Sequence, residues 1–284
     1  PDNLLSEEKG IYCYGNWENS GAEWERPAAV TYFEEDGTIP FETTMGMRIH
    51  GNYTRRWGQK SLRFYFREEL GLKNLKGYKK AFIVTGGSSG IGAAAAAYLA
   101  AHGCTVYEFS RHEKIGCASV RHVTADVTDE ASVAAAVQAV LAAEGHIDIL
   151  LNNAGFGISG AAEFTSVEEA KRQLEVNFWG MVRVTRAVLP VMRAQRGGRI
   201  VNTSSVAAVT PIPFQTYYSV SKAAINSFTM SVGNEVRPYG IRISAVMPGD
   251  TRTGFTDARA RSFAGDGEYG GRISRSVAKM EKDE

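Results

Sequence analysis

The sequence lacks the features that mark several large classes of protein. Its three cysteines, Cys13, Cys104 and Cys117, are odd in number and do not have the spacing of metal ligands, so we expect reduced thiols. The most tempting apolar run, 93–101, is far shorter than the ~20 residues that a transmembrane helix needs. The formal net charge is only +1, and no dense stripe of Lys and Arg marks a nucleic-acid surface. We therefore expect a cytoplasmic protein with neither a membrane nor a nucleic-acid partner.

The composition of the chain changes near residue 79. Three of the four tryptophans precede this point, and the alanine-rich stretches follow it. Before it, short β-rich or alternating runs are bounded by turn residues, which predicts a small β-rich segment with strands near 28–33, 45–50 and 61–66. We therefore divide the chain into a partial β-rich domain, 1–79, and a second domain, 80–284.

Apolar strand-like runs alternate with helical stretches in the second domain. The predicted strands are 81–85, 105–109, 120–124, 147–151, 199–203 and 241–246. The predicted helices are an alanine-rich one that ends near 101, then 131–143, 167–195 with a bend near Pro190, and 217–237. This alternation predicts an α/β fold, a Rossmann-like doubly wound parallel sheet with helices on both faces.

A glycine-rich turn lies between the first strand and the first helix of this domain. It reads Thr85-Gly-Gly-Ser-Ser-Gly-Ile-Gly92. Glycines let the backbone approach a pyrophosphate, and a helix N-terminus supplies N–H groups and the positive end of a dipole. The spacing differs from the usual dinucleotide fingerprint, so the turn alone leaves open a glycine turn that binds no ligand.

Tyr218 and Lys222 lie four residues apart on a predicted helix and therefore share one face. A nearby ammonium lowers the pKa of a phenol, and such a tyrosine can exchange a proton with a carbonyl or hydroxyl oxygen. Tyr217 is a rival, but its offset of five from Lys222 turns it off this face. Ser204 and Ser205 follow the fifth strand, at the sheet edge where ligands bind. Each of these features alone is also common by chance.

Taken in order, the motifs from residue 80 to about 274 resemble those of the short-chain dehydrogenase/reductase family. The resemblance implies an enzyme that transfers a hydride between NAD(P)(H) and an alcohol or ketone carbon. Ser205 is preferred over Ser204 by its offset to Tyr218, and the helix asparagine is expected to hold a proton-relay water. The implied catalytic residues are Asn177, Ser205, Tyr218 and Lys222. The implied cofactor-binding residues are Thr85, Gly86, Ser88, Ser89, Gly90, Ile91, Gly92, Ser110, Arg111, Asp126, Val127, Asn153, Ala154, Gly155, Tyr218, Lys222, Pro248, Gly249 and Thr253.

The end of the second strand bears on the choice of cofactor. It reads Phe109-Ser110-Arg111, without the acid at this place that would bind the ribose hydroxyls of NAD. Arg111 can pair with a 2′-phosphate, so we expect NADP(H) to be favoured over NAD(H). The alternative is that Arg111 is a solvated turn residue.

Apolar residues after the fourth and fifth strands suggest a hydrophobic alcohol or ketone substrate, by analogy at the level of the fold only. These residues are Phe156, Ile158, Pro211, Ile212, Pro213 and Phe214. Four histidines, His102, His112, His122 and His146, lie in predicted turns or near the ends of elements, and we assign none of them a chemical role.

Residues 11–70 resemble an N-terminal piece of another family, the CotH-type spore-coat kinases. The resemblance rests on Trp24-Glu-Arg-Pro27, on Met47-Arg-Ile-His-Gly51, and on Thr54-Arg55 followed by 59–62. The acidic metal-binding and catalytic portions of that family are expected next, and the dehydrogenase-like domain begins instead. We therefore expect no kinase chemistry here, even at Lys60, and no metal site in the chain.

The C-terminal stretch departs from the dehydrogenase family. After Pro248-Gly249 the sequence is polar and rich in glycine from 257 to 271, and its end is charged. We expect the family's further helix and edge strand to be missing, which weakens any homo-oligomer. Two alternatives to an oxidoreductase remain open: a non-catalytic NADP-binding module and, with less support, a phosphotransferase acting through the first segment.

Overall fold

The computed structural model describes two separate units of the chain, Pro1–Lys76 and Gly77–Glu284. This boundary lies three residues before the predicted one. The described residues are 26–32, 41–50, 61–65, 81–113, 117–249, 251, 253–255 and 259–282.

Three strands form the described part of the N-terminal unit: β1 (Arg26–Tyr32), β2 (Phe41–His50) and β3 (Ser61–Tyr65). They pair antiparallel in the order β1-β2-β3, which agrees with the predicted β-rich segment. Several of the residues that carry the resemblance to CotH-type kinases, including Trp24, Thr54 and Lys60, lie outside the described residues.

The described part of the second unit contains eight strands. They are β4 (Ala81–Thr85), β5 (Thr105–Ser110), β6 (Val120–Thr124), β7 (Ile149–Asn152), β8 (Ile158–Ser159), β9 (Gly198–Thr203), β10 (Ile241–Val246) and β11 (Ala260–Arg261). Six of them form one parallel sheet in the order β10-β9-β7-β4-β5-β6, and β8 pairs with β11. The order reverses between β4 and β7, so a crevice opens at the carboxyl ends of these two strands. The predicted doubly wound sheet is confirmed.

Six α-helices accompany the sheet within the described residues. They are α1 (Gly90–Ala101), α2 (Glu130–Glu144), α3 (Val167–Leu174), α4 (Gly180–Gln195), α5 (Thr216–Val236) and α6 (Arg272–Lys282). Local sequence explains several of their starts. The Asp129 carboxylate accepts from the backbone N–H groups of Ala131 and Ser132 at α2, and Ser166 forms a capping box with Glu169 at α3.

The sheet has an apolar layer on each face. Along β4, Ile83 packs into a core with Phe109 and Leu150, whereas Phe82 and Val84 pack into a second core beside α1. Successive side chains of a strand point to opposite faces. Both faces are therefore buried, as expected for a parallel sheet.

The long predicted helix 167–195 is interrupted at a different place from the one predicted. A π-helical turn, Glu175–Trp179, separates α3 from α4, and Pro190 lies inside α4. In this turn the N–H of Gly180 reaches back five residues to the carbonyl of Glu175. The apolar periodicity of the sequence does not reveal such a turn, because the residues on both sides keep a helical pattern.

The prediction that no further helix follows the polar C-terminal stretch is wrong. Helix α6 forms there, with Ile273 and Val277 buried four residues apart on one face. The carboxylate of Asp266 accepts from the backbone N–H groups of Ile273 and Ser274 at its start. Within the described residues the large sheet ends at β10 on this side. None of the described helices is long and apolar enough to cross a membrane.

Candidate active site

The ends of β4 and β7 are joined by a short set of hydrogen bonds. Thr85 Oγ1, at the end of β4, accepts from the backbone N–H groups of Asn153 at 2.9 Å and Ala154 at 3.0 Å. The Asn153 side chain donates to the carbonyl of Gly86 at 3.3 Å. The two sequence motifs that contain these residues therefore meet at the crevice of the sheet.

The glycine-rich turn has no room for larger side chains. Gly86 has a φ of +64°, and a Cβ there would lie 2.9 Å from Cα of Ala154. A Cβ on Gly92 would overlap the Gly86 carbonyl and lie 2.5 Å from Nδ2 of Asn153. Such a cradle of bare backbone fits the pyrophosphate of NAD(P).

The turn feeds directly into the N-terminus of α1. The N-cap residue Ser89 is exposed and makes no side-chain cap bond, so its hydroxyl does not satisfy the first N–H groups of the helix. Ser88 and Ile91 are half-buried beside it. Thr253 comes from the distant C-terminal part of the chain, and its Cβ would lie 3.4 Å from a Cβ on Gly90. The loop that contains Thr253 therefore meets the glycine-rich turn.

Tyr218 and Lys222 face each other along α5, as predicted from their spacing. The Lys222 Nζ lies 5.7 Å from the centroid of the Tyr218 ring. Lys222 is only 4% exposed, and its Nζ donates to the carbonyl of Thr203, at the end of β9, at 2.7 Å. An ammonium carries three donors, so two N–H groups of Lys222 remain for other acceptors in the crevice.

Burial dominates the titration of both side chains. Burial lowers the pKa of Lys222 from 10.5 to about 8. Burial also disfavours the charged form of Tyr218 and so raises its pKa, while the hydrogen bond with Ser205 and the charge of Arg259 act to lower it. From the sequence we expected Lys222 to lower the pKa of this phenol. The pKa is raised instead, because desolvation outweighs the favourable contacts.

The two serines after β9 have different contacts. Ser205 is 7% exposed; its side chain hydrogen-bonds to Tyr218 and accepts from the backbone N–H of Ala207. Ser204 donates instead to the backbone carbonyl of Lys222 at 3.0 Å. Tyr217 donates to the carbonyl of Ala162 at 3.3 Å. These contacts bring Ser205, and neither Ser204 nor Tyr217, to the hydroxyl of Tyr218.

Asn177 lies in the π-helical turn and is 1% exposed. Its Oδ1 accepts from the backbone N–H of Phe156 at 3.0 Å, and its Nδ2 donates to the carbonyl of Phe156 and to Ser221 Oγ. A Cβ on Gly155 would lie 3.1 Å from this Oδ1 and 3.7 Å from the Nζ of Lys222. Both amide hydrogens of Asn177 are thus engaged within the protein, and the side chain anchors the segment that follows β7.

A buried polar network beneath the site was not predicted. Asn152 donates to Thr185 Oγ1 and to Asn202 Oδ1, and Asn202 donates to Thr229 Oγ1, each at 2.9 Å. These bonds connect β7, β9, α4 and α5. The sequence offers only a weak signal for this network, since polar residues within apolar strands have no obvious partners before the fold is known.

Two residues of the C-terminal stretch also reach Tyr218, and sequence reasoning missed both. The rings of Tyr218 and Phe255 lie 5.8 Å apart, and the guanidinium of Arg259 lies 5.7 Å from the Phe255 centroid. Arg259 is only 8% exposed. A Cβ on Gly157 would lie 3.4 Å from the Arg259 side chain. Nothing in the local sequence marks these residues, because the polar, glycine-rich stretch resembles a solvated loop.

The residues expected near the adenosine half of the cofactor lie at the carboxyl ends of β5 and β6. Arg111 is exposed, and Ser110 is half-buried. Two hydrogen bonds from Thr128 lower the pKa of Asp126, and the charges of Arg111 and Arg183 add to this effect. Val127 is 9% exposed and packs against Gly180. The loop with Pro248 and Gly249 lies beside the turn that follows β9, since the backbone N–H of Val206 donates to the carbonyl of Pro248.

The residues of the expected apolar entrance have different surroundings. Ile158 is buried in β8, and the backbone of Phe156 is held by Asn177. The ring of Phe214 packs at 5.7 Å against Tyr269. Among the residues that the structure describes, no cluster of three His, Cys, Asp or Glu side chains could hold a metal ion.

Comparison with known proteins agrees with this geometry. A family model described as short chain dehydrogenase matches residues 80–262. A 3-ketodihydrosphingosine reductase of Bacteroides thetaiotaomicron is 42% identical over 204 residues, which are 71% of this chain and 76% of the relative. The oxidoreductase UcpA of Salmonella typhimurium is 38% identical over 195 residues, 64% of this chain and 73% of the relative. The chain therefore belongs to the short-chain dehydrogenase family.

Solved structures show the same architecture. A short-chain dehydrogenase from Streptomyces avermitilis is 30% identical and has a TM-score of 0.63. The match covers 72% of this chain and 82% of the dehydrogenase. A xylitol dehydrogenase with NAD+ bound is 34% identical, has a TM-score of 0.58, and covers 61% and 71% of the two chains. The protein is accordingly an NAD(P)-dependent oxidoreductase of this family, acting on an alcohol or keto group.

Proposed function

We propose that the crevice catalyses reversible hydride transfer between NAD(P)(H) and a secondary alcohol or ketone, with Tyr218 as the proton donor and acceptor. The observation that carries the proposal is the convergence of three side chains from two elements. Ser205 hydrogen-bonds to Tyr218, and the buried Lys222 lies beside the Tyr218 ring. NAD(P) would lie over the glycine-rich turn, where it supplies or accepts the hydride.

In the reductive direction, negative charge develops on the carbonyl oxygen of the substrate. Ser205 donates a hydrogen bond to this oxygen, and Tyr218 transfers its hydroxyl proton to it. The ammonium of Lys222, one donor of which is held by Thr203, stabilises the phenolate that results and offers its other donors to the ribose hydroxyls. Asn177 supports the wall of the crevice, and its role in holding a relay water remains part of the proposal.

The proposal extends to a preference for NADP(H). Arg111 is exposed at the end of β5 and can form a charge-assisted pair with a 2′-phosphate. A relative binds NAD+ in its solved structure, so the preference is open to a direct test. Replacing Arg111 by Ala should weaken NADPH binding by roughly 1.5–3 kcal/mol and leave NADH binding unchanged. Equal affinities for both cofactors in the parent, unaffected by the substitution, would remove this part of the proposal.

For the substrate we propose a hydrophobic ketone or alcohol. The support is the relative named for 3-ketodihydrosphingosine reduction and the aromatic ring of Phe255 beside Tyr218. A panel of long-chain 3-keto compounds, cyclic ketones and polar sugars, followed by the absorbance of the reduced nicotinamide, tests this choice. Turnover restricted to the polar sugars would contradict it.

The two alternative functions have less support. A non-catalytic NADP-binding module does not require the contacts among Ser205, Tyr218 and Lys222. A phosphotransferase in residues 11–70 stays an alternative that the sequence disfavours. A cytoplasmic location and a homo-oligomer stay predictions from the sequence. The ketone panel separates the proposed oxidoreductase from the binding module, since a binding module would bind NADPH without any turnover.

A further inference from the structure

A buried carboxylate lies against the glycine-rich turn and has no part in the chemistry described above. Glu108 lies in β5 and is 1% exposed. A Cβ on Gly87 would lie 2.6 Å from Cβ of Glu108 and 3.2 Å from its Oε2. Val106, two residues earlier on the same strand, packs into the apolar core beside α1. Glu108 therefore places a carboxylate on an otherwise apolar face, directly under the backbone of the turn.

The two oxygens of this carboxylate are in different situations. Oε1 accepts from Ser110 Oγ at 3.1 Å and pairs with Nδ1 of His122 on the neighbouring strand β6. Nε2 of His122 lies 3.0 Å from Thr124 Oγ1, which orients the ring. Oε2 is buried and has no hydrogen-bond partner within the described parts of the chain. Leaving a buried carboxylate oxygen without a donor is costly, so packing alone does not explain an acid here.

Ser110 connects this carboxylate to the place where the cofactors differ. It ends β5 and immediately precedes Arg111. A serine hydroxyl has a single hydrogen, and the acceptors within reach are Glu108 Oε1 and the carbonyl of His112 at 2.9 Å. The hydrogen of Ser110 is thus used inside the protein, which leaves Arg111 to provide the attraction for a 2′-phosphate.

We propose that Glu108 is a specificity-determining residue that limits the preference of this site for NADP(H). The inference rests on the proposed function. A negative charge at Glu108 repels the pyrophosphate of both cofactors and, in addition, the dianionic 2′-phosphate of NADP(H), whereas the 2′-hydroxyl of NAD(H) carries no charge. Arg111 attracts the phosphate from the solvent side, and His122 contacts one oxygen of the Glu108 carboxylate. The balance of these groups yields a site that accepts both cofactors.

The test is a fluorescence titration of NADPH and NADH against the full-length parent and Glu108→Gln. Glutamine keeps the size of the side chain and an oxygen for His122, and it removes the charge. We expect the ratio of the two affinities to shift toward NADPH by roughly tenfold, the order of effect that one unit charge has on another within a binding site. The variant His122→Gln replaces an imidazole, which can carry a positive charge, by a neutral amide, so any shift of its ratio should be toward NADH.

A matched control is Glu144→Gln, which neutralises a carboxylate that contacts β5 through the hydroxyl of Tyr107 at 2.6 Å. Tyr107 packs into the other core of the sheet, so the affinity ratio of this control should equal that of the parent. A shift in the expected direction in either folded variant supports the role of Glu108. An unchanged ratio in every folded variant, a reversed shift, or an equal loss of both cofactors would overturn it. Failure of the parent to bind either cofactor would instead refute the proposed function.

Discussion

Replacing Lys222 by Met should stabilise the fold while it abolishes catalysis. The side chain is 4% exposed, and burial lowers its pKa from 10.5 to about 8. Below the folded pKa the protein holds a buried ammonium that the unfolded chain would hold in water. Methionine fills a similar volume without a charge, so the variant avoids this cost.

The size of the effect follows from the shift in pKa. Each pKa unit corresponds to about 1.4 kcal/mol, so the buried charge costs about 3 kcal/mol at neutral pH. The variant also loses the hydrogen bond from Nζ to the carbonyl of Thr203, which is worth about 1 kcal/mol. We therefore expect Lys222→Met to raise the free energy of unfolding by about 2 kcal/mol at pH 7.

The dependence on pH has a definite sign. Because the pKa of Lys222 is lower in the folded state, the unfolded chain binds more protons between about pH 8 and 10.5, and the parent gains stability as pH rises through this window. The advantage of the variant should therefore shrink to nearly zero by about pH 9.5.

Urea titrations at several pH values, followed by far-ultraviolet circular dichroism, measure the free energy of unfolding of the parent and of the variant. The helical signal reports on the second unit, because the described helices all lie there. The matched control is Lys171→Met, at an exposed position of α3, which should change the free energy of unfolding by less than about 0.5 kcal/mol. If Lys222→Met were no more stable than the parent at pH 7, or if its advantage did not change with pH, the assignment of a costly buried ammonium would be refuted.

Two further predictions concern the turn and the first unit. Gly92→Ala should destabilise the fold by about 1–3 kcal/mol and weaken the binding of both cofactors, because its Cβ would overlap the Gly86 carbonyl. Urea and cofactor titrations test this, with Gly197→Ala, which has open space around it, as the control. Deleting residues 1–79 should leave the turnover number largely unchanged, and a large loss from a folded remainder would show that the first unit takes part in hydride transfer.

The sequence was most informative where a pattern depends on nearby residues. Strands 120–124 and 241–246 have the predicted bounds, because each is a short run that contains β-branched residues and is bounded by turns. The spacing of Tyr218 and Lys222 likewise specified their shared helix face before the fold was known. The glycine-rich turn was recognisable because its glycines stand close together in the sequence. Contacts of Gly86 and Gly92 with the loop after β7 leave no room for larger side chains there.

Other features depend on long-range contacts or on burial, which the sequence does not contain. Arg259 and Phe255 come close to Tyr218 only through tertiary folding. His122 was assigned no role, because its partner Glu108 lies on the neighbouring strand. The direction of the Tyr218 pKa was predicted wrongly because the argument counted one neighbouring charge and omitted desolvation. Helix α6 was missed because Ile273 and Val277 are a weak apolar signal in a polar and charged stretch.

The most direct test of the account is the turnover of Tyr218→Phe, with Tyr217→Phe as the control. Each substitution removes only a hydroxyl group. If Tyr218 is the general acid and base, Tyr218→Phe should lower turnover by at least ~10²-fold while NADPH still binds as in the parent, and Tyr217→Phe should retain most of the activity. Near-parent turnover in Tyr218→Phe, together with its loss in Tyr217→Phe, would contradict the assignment.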